Sequence, residues 1–400
     1  MAAPLKRLRT PLVAALAALV ALAAGLWLGG HPTTLPSLLR QIFVEENRAV
    51  RAEVIDAIED DYARRVDGPA LRRQSSPSGI VRSLGDRYSR YITPSDWAEF
   101  NASTQGEFEG VGLSVGEHPR GLRVLTAFSG SPAKRAGLRA GDVISGVNGE
   151  SIVGEPTEIG TAKIKGRPGT SVVLRVESSA RAGAERSTRS VRLKRARIEV
   201  PVVRSKLVSR SGTKLGVAAL AGFSSGAHGA LRTEVERLVK RGAEGLVLDL
   251  RHNPGGLLDE AVLVSSAFVE DGPIVSTRGR SKRERKFDAQ GRAVAPTMPL
   301  VVLVDGASAS ASEIVTGALR DRKRARIVGT RTFGKGVFQE VKRLSNGGAL
   351  SLTVGSYYLP SGENISNRGI APEVSARDVA STPRDEGLDV ALRTLRAEVG

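Results

Sequence analysis

Cysteine is absent from all 400 residues, which excludes disulfides, thiolate zinc sites, a cysteine nucleophile and a lipidated N-terminal cysteine. Histidine is scarce: His31, His118, His228 and His252 are scattered, no HExxH occurs, and neither a metal nor a cofactor is expected. Aromatic residues make up 4% of the chain, too few for the aromatic-rich basic stretches of a nucleic-acid binder, so no nucleic-acid partner is expected. Acidic residues number 42 against 59 Lys and Arg, a formal charge of +17. That excess suits nucleic acid, an anionic membrane or envelope surface, or solubility alone, and charge by itself does not choose. Internal repeats are lacking. At 40% apolar and 25% charged residues the composition is that of a folded chain, long enough for about two or three domains.

The N-terminus points to a compartment. Lys6, Arg7 and Arg9 precede a stretch without acidic or basic residues other than His31, and within it residues 11–30 are almost wholly apolar. Such a run, at about 1.5 Å per helical residue, spans a hydrocarbon core of roughly 30 Å. Basic residues ahead of it hold that end in the cytoplasm. The expectation is a single-pass anchor in the cell membrane, with a cleaved signal peptide as the rival. A buried core helix is disfavoured because the run has no polar face. Either leading reading exports everything that follows, as a membrane-bound, periplasmic or secreted protein.

Downstream, Ile42, Val50, Val54, Ile55, Ile58 and Tyr62 recur at helical steps over 41–65, with Gly68-Pro69 as the stop. A second helix is expected at 78–84 and a third after Thr93-Pro94, capped by Ser95 or Asp96. From about Gly106 the pattern turns to short alternating apolar runs at 111–115, 122–125, 143–147, 172–176 and 191–193, read as strands. After Lys214 strand and helix alternate: strands at 215–220, 245–250, 300–304, 326–328, 337–341 and 350–358, helices at 228–241, 257–268 and 311–319. Gly242 should end the first of those helices. This alternation predicts an α/β sheet buried on both faces. The basic run 277–292 is read as a solvated hairpin.

Three turns at strand ends could carry chemistry: Gly255-Gly256, Ser308–Glu313 and Gly334-Lys335-Gly336. Ser310-x-x-Glu313 matches a capping box, and the same serine could be a nucleophile on a strand–turn–helix elbow flanked by Ala309 and Ala311. No histidine lies in a triad motif, which leaves lysine as the available base. In an extended chain Lys335 and Gln339 would share a face, although a lysine beside glycine is most often a solvated turn residue. The segment 329–335 matches most of a P-loop, but Gly336 replaces the Mg²⁺-holding Ser or Thr and a strand follows where a helix is needed.

Three ordered motifs, Asp249–Gly256, Val304–Glu313 and Thr332–Gln339, resemble those of the carboxyl-terminal processing peptidases, the S41 family of Ser–Lys proteases. Gly110-Val111-Gly112-Leu113 and the run 130–144 resemble the PDZ domain such proteases carry, 83–89 resembles the segment before it, and 358–372 the closing strands. The resemblance implies a ClpP- and crotonase-like α/β protease core with an inserted PDZ-like β-rich domain. The implied boundaries are a signal or transmembrane segment at 1–36, a helical region at 37–104, a PDZ-like domain at 105–197 and the protease core at 198–400. It assigns Ser310 as nucleophile, Lys335 as base and Gln339 as its orienting group. Gly256 and Ala311 would supply oxyanion N–H groups, and Gly110, Val111, Gly112 and Leu113 would bind substrate. His252 departs from the family pattern, where Asn or Gly is more usual, and reads as a loop variant. Implied partners are proteins or peptides with free C-termini, the membrane through the N-terminal segment, and a homo-oligomer or adaptor. An inactive PDZ scaffold is the alternative, against which stands the complete Ser/Lys/Gln set. Lysine's ordinary pKa of about 10.4 requires that such a base be desolvated or close to another cation.

Overall fold

A computed structural model describes residues 46–105, 107–128, 130–155, 157–178, 187–199, 202–378 and 384–399. The expected leader or anchor at 11–30 lies outside the described residues, among which no helix is long and apolar enough to cross a membrane. The chain divides into two compact units: Met1–Trp97 with Thr277–Glu284 and Val337–Ser356, and Ala98–Ser276 with Arg285–Gly336 and Tyr357–Gly400.

The second unit contains a six-stranded sheet in the order Val203–Arg210, Thr213–Leu220, Gly245–Asp249, Leu300–Val304, Arg326–Gly329, Val374–Ser375. Its first pair is antiparallel and the rest are parallel. Parallel strands are covered on both faces, and Gly245–Asp249 and Leu300–Val304 are accordingly buried at every position. Strand alternation sorts their side chains. Leu246, Leu248, Leu300, Val302 and Val304 pack with Leu231, Val235 and Leu238 and with Ile314, Val315 and Ala318. Val247, Val301 and Leu303 pack on the other side with Leu388, Ala391, Leu392 and Leu395 of the C-terminal helix Glu386–Val399. The helix Ala227–Lys240 ends as expected at Gly242, whose φ of 86° lets Gly242 N–H reach Val239 O and Ala243 N–H reach Leu238 O. Val203–Arg210 is a strand that the apolar pattern does not predict: it lies at the sheet edge and its exposed positions carry Arg, Lys and Ser.

The same unit holds a β-rich module with its own core of Val111, Leu122, Val124, Leu138, Ile144, Val172, Leu174, Val176 and Leu193. Its antiparallel sheet runs in the order Leu113–His118, Gly121–Ala127, Val143–Val147, Ser171–Glu177, Thr188–Lys194. Leu113–His118 is therefore an edge strand, and the helix Thr157–Ile164 packs beside it. Pairing of Glu107–Gly110 with Ala196–Glu199 closes the module where the chain enters and leaves it.

In the first unit the helix Glu46–Asp61 buries Val50, Val54 and Ile58 against Leu71, Ile80, Leu350, Leu352 and Val354. Three expectations need correction there. Gly68-Pro69 does not stop this helix, which ends at Asp61, but opens the helix Gly68–Arg72, where proline's missing N–H costs nothing. The cap before Asp96 is Thr93, whose hydroxyl accepts from Asp96 N–H at 3.2 Å. Nor is the basic run merely solvated: Arg280 donates to the carbonyls of Glu59, Asp60 and Tyr62 at 2.6–2.9 Å. Unpaired carbonyls and the negative end of the helix dipole draw a cation to that end.

Candidate active site

The strand Leu300–Val304 leads through a short turn into the helix Ala311–Asp321. Of the three serines in that turn, Ser308 and Ser312 are fully buried, and their hydroxyls donate to Leu250 O at 2.8 Å and Asn253 O at 2.9 Å. They are fasteners. Ser310 alone is partly exposed, and its backbone, φ 55° and ψ −114°, lies outside the regions open to most L-residues. A sharp strand-to-helix turn of this kind projects a side chain outward at the positive end of a helix.

The loop 251–256 follows the strand Gly245–Asp249 and is fastened to the same turn. Fully buried Asn253 donates to Leu220 O at 2.8 Å, accepts from Gly255 N–H at 2.9 Å, and receives Ala309 N–H on its carbonyl at 3.0 Å. Gly255, at φ 99°, comes so close that an added Cβ would stand 2.9 Å from both Ser310 Cβ and Ala311 N. Phe223 N–H binds Gly255 O at 3.0 Å and Leu257 N–H binds Phe223 O at 2.8 Å, which fixes Gly256 between them. Gly256 and Ala311, both expected as oxyanion donors, thus lie on loops that the structure brings together.

Lys335 belongs to a third segment, seated against residues 364–369. A Cβ on Gly334 would meet Gly369 N at 2.9 Å, and one on Gly336 would meet Ser366 N at 2.6 Å, so both glycines are required by close backbone approach. Half-buried Lys335 is tied to the serine turn by Glu313. That fully buried carboxylate accepts from Ser310 N–H and Lys335 N–H, each at 2.9 Å, from Gly334 N–H at 2.7 Å and from the Thr332 hydroxyl at 2.6 Å. The expected capping box is therefore present in its Glu313-to-Ser310 half, and Glu313 has a second, long-range duty. That duty was invisible in sequence, because its partners lie about twenty residues away.

Gln339 falls in the other unit, on the strand Val337–Arg343, where its amide donates to Thr353 Oγ1 at 3.2 Å. Simple alternation does not carry from Lys335 to Gln339: Lys335 precedes the strand, and the ladder register shifts between Phe338 and Gln339. His252 stands at φ 59° with its ring 83% exposed and Nδ1 2.9 Å from Asp305 Oδ2. Arg251 beside it donates to Asp249 and, in a fork, to Asp385 at 2.7 and 3.0 Å. Burial opposes its charge, but these carboxylates outweigh burial and push its pKa up. The Asp385 carboxyl is in turn held below its usual range, chiefly by Arg251. Among the described residues no group of three or more His, Asp or Glu side chains is placed to hold a metal.

In the β-rich module Gly110 ends the strand Glu107–Gly110 and Leu113 begins the edge strand, with Val111 and Gly112 forming the bend. Val111 O accepts from Ala133 N–H at 2.9 Å and Gly112 O from Phe128 N–H at 3.0 Å, leaving the carbonyl side of the bend turned into the module.

Residues 214–376 match the family described as Peptidase family S41, and residues 124–178 match the PDZ domain. A probable CtpA-like serine protease of Staphylococcus aureus (strain COL) is 35% identical over 349 residues, 87% of this chain and 67% of that protein. Its counterpart from Staphylococcus epidermidis (strain ATCC 35984 / DSM 28319 / BCRC 17069 / CCUG 31568 / BM 3577 / RP62A) is 33% identical, over 84% of this chain and 66% of its own length. The chain thus spans about two thirds of the length of these curated relatives. The solved photosystem II D1 C-terminal processing protease is 30% identical at a TM-score of 0.54, with 85% of this chain and 95% of that one covered.

The chain belongs to peptidase family S41. It stands among the C-terminal processing serine proteases of that family and carries their PDZ domain. In this S41 chain the three serines are distinguished by the hydrogen bonds of Ser308 and Ser312, something the spacing of the motif alone could not do.

Proposed function

We propose that this S41 chain is an exported endopeptidase that cleaves proteins near their C-termini through a Ser310–Lys335 dyad. The observation that carries the reading is the strained, partly exposed Ser310 turn tied through Glu313 to the Lys335 segment. Ser310 Oγ attacks the substrate carbonyl while Lys335 Nζ takes its proton. The resulting oxyanion is met by the N–H groups of Gly256 and Ala311, at the positive end of the helix Ala311–Asp321. The intermediate collapses, the amine leaves with the proton from Lys335, and water, deprotonated by the same lysine, releases the acyl group. The resemblance assigns Gln339 the orienting of that lysine.

Substrate selection falls to the PDZ domain. An extended tail adds to the edge strand Leu113–His118, and backbone N–H groups about Gly110–Leu113 receive the terminal carboxylate. Export rests on the apolar run at 11–30, whether as anchor or cleaved signal. Two variants test the chemistry on a quenched peptide with an apolar C-terminus. Ser310→Ala should fold and lose all cleavage. Lys335→Arg should do the same, because a guanidinium with pKa above about 12 is no base here. Turnover by either variant would overturn the dyad.

A further inference from the structure

Ser310 and Lys335 are 25 residues apart in sequence, yet both offer their peptide groups to the same two buried side chains. On the N–H side, Glu313 Oε2 accepts from Ser310 and from Lys335, each at 2.9 Å. On the carbonyl side, the Tyr357 hydroxyl donates to Lys335 O and lies 3.4 Å from Ser310 O. Neither side chain has room to turn away. Glu313 is 0% exposed, and its second oxygen is occupied by Thr332 Oγ1 and Gly334 N–H. Thr332 Oγ1 is itself fixed by Ile370 N–H at 2.7 Å. Tyr357 is 1% exposed, its ring is part of the main core, and its own N–H binds Gly336 O at 3.1 Å.

We infer that Glu313 and Tyr357 are a pair of positioning residues that lock the peptide of Lys335 to that of Ser310, one gripping the N–H groups and the other the carbonyls. The inference rests on the Ser–Lys reading and adds to it the device that sets the distance between nucleophile and base. The chemistry suits each partner to its side. A carboxylate is purely an acceptor and can take four N–H and O–H donors at once, whereas a phenol supplies the proton that carbonyls need. Because a base displaced by about 1 Å can cost on the order of a hundredfold in rate, loosening either grip should slow chemistry without weakening substrate binding.

The test uses Tyr357→Phe, which keeps the ring and removes only the hydroxyl, and Glu313→Gln, which turns an NH2 group toward donors. Both are compared with the parent, Ser310→Ala and Lys335→Arg in the full chain. The readouts are kcat and KM on the quenched peptide, the rate at which a phosphonylating serine probe labels Ser310, and the thermal midpoint. Tyr357→Phe should lower kcat and probe labelling by about 10- to 100-fold with KM within about threefold and the midpoint within a few degrees. Glu313→Gln should lose at least as much. If Glu313→Gln does not fold, Tyr357→Phe decides alone. Parent-like kcat in folded clamp variants, with Lys335→Arg inactive, would overturn the clamp and leave the dyad standing. An active Lys335→Arg would remove the dyad and the clamp with it. Loss of activity only in step with a collapsed thermal midpoint would make the two residues structural and overturn the positioning role.

Discussion

The bend at 110–113 and the turn at 308–313 both place small residues at their tightest points, yet they use that smallness in opposite ways. At the bend, Gly112 has φ 81°, and a Cβ there would stand 2.2 Å from Ser131 Cβ, so glycine lets the chain fold its carbonyls inward and begin an edge strand. Backbone is thereby left for another chain to pair with. At the turn, smallness lets two loops of the same chain touch, and buried Asn253, Ser308, Ser312 and Glu313 hold them with hydrogen bonds. Under the proposed function, the first region would recognise a tail through its edge strand. The second would react through Ser310, the partly exposed serine of a turn held by buried hydrogen bonds. Changes at the first should weaken binding, and changes at the second should slow chemistry.

The largest expected break is Gly255→Ala. The added methyl would come within 2.7 Å of Ala309 O and 2.9 Å of Ala311 N, and φ 99° disfavours any L-residue there. The loop must withdraw from the serine turn, which separates the two N–H groups proposed for the oxyanion. Loss of one such donor costs about a hundred- to a thousandfold in kcat. The measurement is kcat on the quenched peptide beside binding of a non-cleaved tail peptide. Binding should stay at the parent level, and a loss of binding equal to the loss of rate would erase the contrast between the two regions.

Legibility followed the range of the interactions. Leu300–Val304 is readable residue for residue, because a continuous apolar run reports burial directly. Gly242 as a helix stop was equally plain, since its left-handed φ is a local demand. Val203–Arg210 escaped because an edge strand needs no apolar alternation, and Arg280 escaped because a helix end recruits its cation from more than two hundred residues away. Within the site, Ser310, Lys335 and Glu313 were visible as residues. What bound them was not: Glu313 and Tyr357 act across turns that only the folded sheet brings together. Nothing local in the sequence sets Gly255 above Gly256, since close approach to Ser310 is a property of the loop pair.

A smaller effect is expected at the recognition end. A charge-assisted bond to a carboxylate contributes roughly 1.5–3 kcal/mol, so amidating the C-terminus of a tail peptide should weaken binding about ten- to a hundredfold. Binding is read with the Ser310→Ala protein and cleavage with the parent. The amidated peptide should be cleaved more slowly at low concentration and approach the parent kcat at saturation. Equal affinity for the two peptides would sink tail recognition by the PDZ domain, while the serine turn would be untouched by that result.

The smallest effect separates frame from chemistry. Asp385 caps the C-terminal helix, accepting Leu388 N–H at 2.9 Å, and its carboxylate forks onto Arg251 at the root of the loop 251–256. Asparagine is as good a cap as aspartate, so Asp385→Asn removes the charge pair and spares the cap. The pair is about half exposed on the Asp385 side, so its contribution after solvent screening is within about 1 kcal/mol. Arg251 holds the folded-state pKa of Asp385 below its ordinary value. Its stabilisation is therefore fully present above the unfolded pKa of about 3.9 and is lost as pH falls through the lower folded value. Chemical denaturation of parent and Asp385→Asn should differ at pH 7 and converge in acid, with kcat at pH 7 little changed. A gap that stayed constant down to strongly acid pH would mean the charge pair is not what Asp385 contributes. A fall in kcat at unchanged stability would instead move Asp385 from the frame into the set of groups that position the loop proposed to hold the oxyanion.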